Sequence, residues 1–98
     1  MAHVVIVEGV DRGKVFQLDA ERMTIGRDPE CGIALGDQAV SRRHCELRRE
    51  EGRWVIADLG SSNRTFVNDA PVDTAALKDG DRIGVGDCEL MLALDDAR

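Results

Sequence analysis

Three short polar segments hold the residue types that could grip an oxyanion. Gly26-Arg27 closes a β-type run, Ser41-Arg42-Arg43-His44 opens another, and Ser61-Ser62-Asn63-Arg64-Thr65 sits in the stretch from Asp58 to Asn68. A phosphate on a peptide side chain carries about −1.5 to −2 charge and three strong acceptor oxygens. It needs one guanidinium for a charge-assisted bond, then hydroxyls and backbone N–H groups for the remaining lone pairs. Arg27, Ser41 and Ser62 are candidates for that set. Asn63 has both a donor and an acceptor and suits the main chain of an extended peptide, while Arg42 could reach that backbone or the phosphate.

Each residue also has a plain structural explanation. Gly26 could simply leave a strand, Ser41 could form a local hydroxyl turn, and His44 reads as a hydrogen-bonding brace between loops. Asn68-Asp69 could do no more than shape the turn into Pro71. A hydrolase built on Ser41, His44 and Asp58 is an alternative with little support, because no GxSxG elbow is present and Ser41 and His44 straddle a strand start. A metal site from Cys31, His44, Cys45 and Cys88 is equally poor, since neighbours His44 and Cys45 point to opposite faces of a strand. No metal or cofactor is expected. The three cysteines are an odd set without CxxC spacing and read as reduced core thiols.

The elements that must position these loops are short strands. Val4 to Val7, Lys14 to Leu18, Met23 to Ile25, Ile33 to Leu35, His44 to Arg48, Trp54 to Asp58, Thr65 to Val67, Arg82 to Val85 and Glu89 to Leu94 each end at a Gly, Asp, Asn or Pro cluster. Leu90, Leu92 and Leu94 share one face at strand period, and Glu50-Glu51-Gly52 reads as a hairpin turn. Asp73 to Leu77 is the one stretch read as a helical turn, and Met1-Ala2 and Asp95 to Arg98 read as loose ends. This rhythm indicates an all-β sandwich or barrel.

With 98 residues, 43% of them apolar, the chain suits one modest domain whose core is mostly Val, Ile and Leu. Net charge of −6 argues against nucleic acid and anionic membrane as partners. No apolar run nears the roughly 18 residues that span a bilayer, and the start lacks a signal-peptide pattern. The expectation is a cytoplasmic protein with no membrane insertion.

In order and spacing, Gly26-Arg27, Ser41-Arg42-Arg43-His44 and Ser61-Ser62-Asn63-Arg64-Thr65 with Asn68 resemble the forkhead-associated (FHA) domain signature of GR, SxxH and SxNGT with a following Asn. The resemblance covers about residues 4–94 and implies a β-sandwich of about eleven short, mainly antiparallel strands in two sheets. It further implies a non-enzymatic reader of phosphothreonine in a partner written by a Ser/Thr kinase. Arg27, Ser41 and Ser62 would bind phosphate, and Asn63 and Arg42 the peptide backbone. Gly26, His44, Ser61, Thr65 and Asn68 would structure the loops, and Ala39, Val40 and Arg64 would tune specificity. In this family a small pocket for the threonine methyl separates threonine from serine, a gain of about 1 kcal/mol if fully buried. An FHA-fold module that docks partners independently of phosphorylation is the alternative. Arg64 departs from the pattern, standing where the family has glycine, and would cost about 1–2 kcal/mol if the turn needs φ > 0.

Overall fold

A computed structural model describes residues 2–94, so Met1 and the expected loose end at 95–98 lie outside the described residues. Within them run eleven strands: β1 Ala2–Glu8, β2 Val15–Leu18, β3 Arg22–Gly26, β4 Ile33–Ala34, β5 Cys45–Glu50, β6 Arg53–Asp58, β7 Thr65–Val67, β8 Ala70–Val72, β9 Thr74–Ala76, β10 Arg82–Val85 and β11 Cys88–Leu94. One sheet has the order β2-β1-β11-β10-β7-β8 and the other β4-β3-β5-β6-β9. Every pairing is antiparallel except β3 with β4. The fold is an all-β sandwich. No helix among the described residues is long and apolar enough to cross a membrane.

Alternation builds the core. Val4 and Ile6 of β1, Leu47 of β5, Ile56 of β6, Ile83 of β10 and Leu90 and Leu92 of β11 are fully buried between the sheets. In β1 and β11 the intervening neighbours face outward at strand period, while in β6 Val55 and Ala57 are buried as well. Cys45 and Cys88 belong to this core, and burial pushes their thiols up to about 12 and about 11. Cys31 does not. It is a half-buried loop residue whose thiol donates to the Arg42 carbonyl.

Three sequence expectations need correction. Ala2 is a buried strand residue paired with Leu94, not part of a loose end. The stretch read as a helical turn holds β9, which pairs with β6 through Val55↔Ala76. Without it β6 would carry an unpaired edge, a need that five residues of local pattern cannot announce. Strand β8 was missed because Pro71 argues against a strand. Proline is tolerated there because β8 is the sheet's edge.

The turns follow backbone sterics. Glu51 and Gly52 have φ of 52° and 79°, and Asn68 and Asp69 have 50° and 73°, as two-residue type I′ hairpins require. Arg64 also has positive φ, at 68°, so the position does favour glycine. Removing that strain is offset in part by the unfolded-state entropy of glycine. Arg64→Gly should therefore raise stability by about 0.5–1 kcal/mol, a gain of a few degrees in melting temperature. An unchanged or lowered midpoint in a thermal melt would show that the turn is unstrained.

Candidate functional site

Register brings the polar segments to one end of the sandwich. Ile25 pairs with Cys45 and Cys45 with Asp58, so β3 ends, β5 begins and β6 ends in a single row. Gly26 continues from that row. A Cβ there would lie 2.1 Å from the Arg42 carbonyl oxygen, so the glycine is needed for close approach of two backbones. That approach lets the Arg27 and Asp28 N–H groups donate to the Ser41 and Arg42 carbonyls at 3.0 and 3.2 Å. The Arg27 Nε–H donates to the Val40 carbonyl at 3.0 Å, which steadies an otherwise exposed side chain.

His44 joins this strip to the third segment. Its ring is fully buried, with Nδ1 3.0 Å from the Ser41 amide nitrogen and Nε2 2.8 Å from the Arg64 carbonyl oxygen. A backbone N–H can only donate and a carbonyl can only accept, so Nδ1 is the acceptor and Nε2 bears the proton. Two more bonds cross the same gap. The Ser62 N–H donates to Ser41 Oγ at 3.1 Å, and Asn63 Nδ2 donates to the Ala39 carbonyl at 2.8 Å.

Asp58 holds the third segment from within. Its carboxylate accepts the Gly60 and Ser61 N–H groups and the hydroxyls of Ser61 and Thr65. Burial works against its ionisation, but the bonds from Ser61, Thr65 and Gly60 outweigh it and hold Asp58 below the usual carboxylate range. Ser61 and Thr65 are thus tied to the loop's own anchor, while Ser62 and Asn63 stay exposed.

The result is an open groove of about 270 Å³ lined by Arg27, Gln38, Ala39, Val40, Ser41, Arg42, Ser62 and Asn63. It falls below the roughly 300–1,000 Å³ of small-molecule sites. The Ser41 O–H, the Ser62 hydroxyl and the ends of the Arg27 guanidinium are not taken up by the bonds just described. Asn63 keeps its carbonyl oxygen and one N–H. These are donors for an anion and a matched pair for a peptide backbone.

Two candidates contribute in other ways. Val40 is 1% exposed, so it has no surface to read a ligand side chain; its contribution is the carbonyl that Arg27 uses. Asn68 braces a different turn, accepting the Arg82 N–H and donating to Asp81, at the far end of β7 from Thr65. Ser41, His44 and Asp58 do not form a triad. Both His44 nitrogens serve backbone groups, and the carboxylate serves hydroxyls and amides. No metal-holding group of His, Cys, Asp or Glu occurs among the described residues.

Two supports escaped the sequence reading. Asp37 accepts the Ala39 N–H through Oδ1 and the Asp87 N–H through Oδ2, at 2.8 and 2.9 Å. Gly86 has φ of 60°, and a Cβ on it would meet Val40 Cγ2 at 2.7 Å. The local bond from Asp37 to Ala39 is a recognisable Asx pattern. Contact with residues near position 87 carries no local signal.

Comparison with known proteins agrees with this fold. A family model described as the cytoplasmic domain of an inner membrane component of T3SS matches residues 5–96. The glycogen accumulation regulator GarA of Mycolicibacterium smegmatis is 42% identical over 90 residues, 92% of this chain and 57% of that protein. The oxoglutarate dehydrogenase inhibitor of Corynebacterium diphtheriae is 41% identical over 88 residues, 90% of this chain and 62% of that protein. The chain thus spans less than two thirds of these relatives. A solved structure from work on phosphothreonine-dependent FHA domain interactions superposes with a TM-score of 0.89, at 36% identity and 97% coverage of both chains.

Two substitutions test the loop anchors. Gly26→Ala should cost about 2–3 kcal/mol, because the methyl meets backbone and not a movable side chain; a wild-type thermal midpoint would contradict the close approach. Asp58 has a depressed folded pKa, so its contribution is complete above its unfolded value near 3.9 and is lost as pH falls through the folded value. Asp58→Asn should lose about 1–3 kcal/mol at pH 7, and the gap to wild type should shrink at about pH 3. Urea melts at the two pH values measure this, and a constant gap would remove Asp58 from the account.

Proposed function

The chain belongs to the forkhead-associated (FHA) domain family, and from there we propose that its loop end binds phosphothreonine in an extended segment of a partner protein. Arg27 supplies the guanidinium for the phosphate, and Ser41 and Ser62 supply hydroxyl donors. Asn63 pairs with the peptide main chain through its carbonyl oxygen and remaining N–H, with Arg42 beside it. The chain is a binding module and not an enzyme.

One observation carries this reading. Arg27, Ser41, Ser62 and Asn63 line one groove whose walls are already bonded to each other. Walls joined before the ligand arrives spare binding the cost of ordering them, which matters for a short flexible peptide that must still lose its own freedom. Affinity should be modest and should weaken as salt screens the arginines.

The partner is a protein phosphorylated by a Ser/Thr kinase, met in the cytoplasm. The description of the matching family model as a cytoplasmic domain supports that location. One relative is named as an inhibitor of oxoglutarate dehydrogenase. For this chain we carry over only that its partner is a protein. Net charge of −6 opposes nucleic acid as an alternative. No cofactor enters the proposal.

Calorimetric titration with a phosphothreonine peptide and its unphosphorylated twin tests the proposal. The phosphopeptide should bind and the twin should not, and Arg27→Ala should weaken binding by at least about tenfold. Equal binding of both peptides would instead make the chain a phosphate-independent docking module.

A further inference from the structure

We infer that the outer face of the six-stranded sheet carries a second docking groove, which takes a basic, extended segment of a partner protein. None of the residues that build it serves the phosphothreonine reading, so the two stand or fall separately.

Four strands make the groove. Gly84 of β10 is paired with Phe66 of β7 on one side and with Glu89 of β11 on the other, and Glu89 is paired in turn with Glu8 of β1. Ile83 and Val85 are fully buried, so Gly84 and its row face outward. A glycine inside a strand leaves room for another chain to approach. Phe66 forms one wall of that opening, since a Cβ at Gly84 would lie 3.2 Å from the Phe66 Cβ. With Asp69, Arg82 and Asp87 also lining it, the groove has a volume of about 240 Å³. It shares no lining residue with the groove at Arg27.

Charge identifies the occupant. The carboxylates of Glu8, Asp69, Asp87 and Glu89 meet a single guanidinium, that of Arg82, which lies 3.7 Å from Glu89. Glu8 and Glu89 stand directly opposite each other across the strands, where like charges repel. A bulge creates that pair. Alternation from the buried Ile6 would turn Glu8 towards the core, and the register shift between Ile6 and Glu8 re-aims it outward beside Glu89. A cation laid across the pair relieves the repulsion. A metal ion does not suit the site, because the carboxylates are spread from β1 to the turn after β7 and no metal-holding group occurs among the described residues. Nor does a second copy of this chain, since two-fold contact would bring the same carboxylates together. A lysine or arginine side chain fits both walls, with its stem over Gly84 along Phe66 and its head between Glu8 and Glu89.

The test must separate this groove from the general pull of an acidic protein. The probe is a peptide of alternating arginine and serine, compared with a twin that has glutamine for arginine, and nitrogen–proton spectra of isotope-labelled protein follow both. The arginine peptide should shift the amides of Glu8, Phe66, Gly84, Asp87 and Glu89, and the twin should not. Glu8→Gln combined with Glu89→Gln should weaken binding by roughly three- to tenfold, the range of two part-exposed ion pairs. The same double variant should melt at or above the wild-type midpoint, because a repulsive pair is gone. Asp19→Asn with Glu21→Gln, which takes equal charge from the connection between β2 and β3, should leave binding unchanged. An equal loss in both double variants, or equal shifts with the glutamine twin, overturns the inference. So does a lowered midpoint in the Glu8 and Glu89 variant, which would make the pair a support of the fold. Shifts at these amides that grow with protein concentration alone would give the face to a second copy and overturn it too.

Discussion

A single buried imidazole holds the binding end of this molecule together. His44 accepts the Ser41 N–H on one nitrogen and donates to the Arg64 carbonyl with the other. Because neither backbone group can reverse its role, the ring has one usable tautomer, and both loops are committed to one separation. An unpaired nitrogen at full burial would cost about 1–3 kcal/mol, so the two bonds are hard to break singly. The Ser62 to Ser41 and Asn63 to Ala39 contacts depend on that separation.

The sandwich supplies the frame in which such a ring can act. Strands β3, β5 and β6 end in register at Ile25, Cys45 and Asp58, so three loops leave the five-stranded sheet side by side. Thr65, from the other sheet, is drawn in by its bond to Asp58. The core below is mostly aliphatic, and its Val40 meets the groove through the backbone carbonyl that Arg27 uses. Position is thus set by strand register, loop spacing by His44, and loop shape by Asp58. Arg27, Arg42, Arg43 and Arg64 are left exposed at this end.

The residues with a local signature were legible in the sequence. Arg27, Ser41, Ser62 and Asn63 stand out by type and order, and they do line one groove. The long alternating strands were also plain, as in Leu90 and Leu92. What escaped depends on contacts remote in sequence. The need for Gly26 comes from the Arg42 carbonyl, and that for Gly86 from Val40 and Ala39. Asp37 works partly through Asp87. Strands β8 and β9 are three residues each, too short for a period to show. Val40 and Asn68 are placed by contacts the motifs do not show: Val40 is buried and meets the groove through its backbone, and Asn68 braces the turn at the far end of β7 from Thr65.

The most direct measurement is a nitrogen–proton correlation spectrum recorded as a phosphothreonine peptide is added to isotope-labelled protein. The account predicts amide shifts concentrated at Arg27, Ser41, Arg42, Ser62 and Asn63, with the His44 ring nitrogens keeping their unequal, single-tautomer signals throughout. Shifts centred on the outer face of the six-stranded sheet, around Val5, Val15 and Met91, would contradict it, as would a His44 ring that changes tautomer on binding.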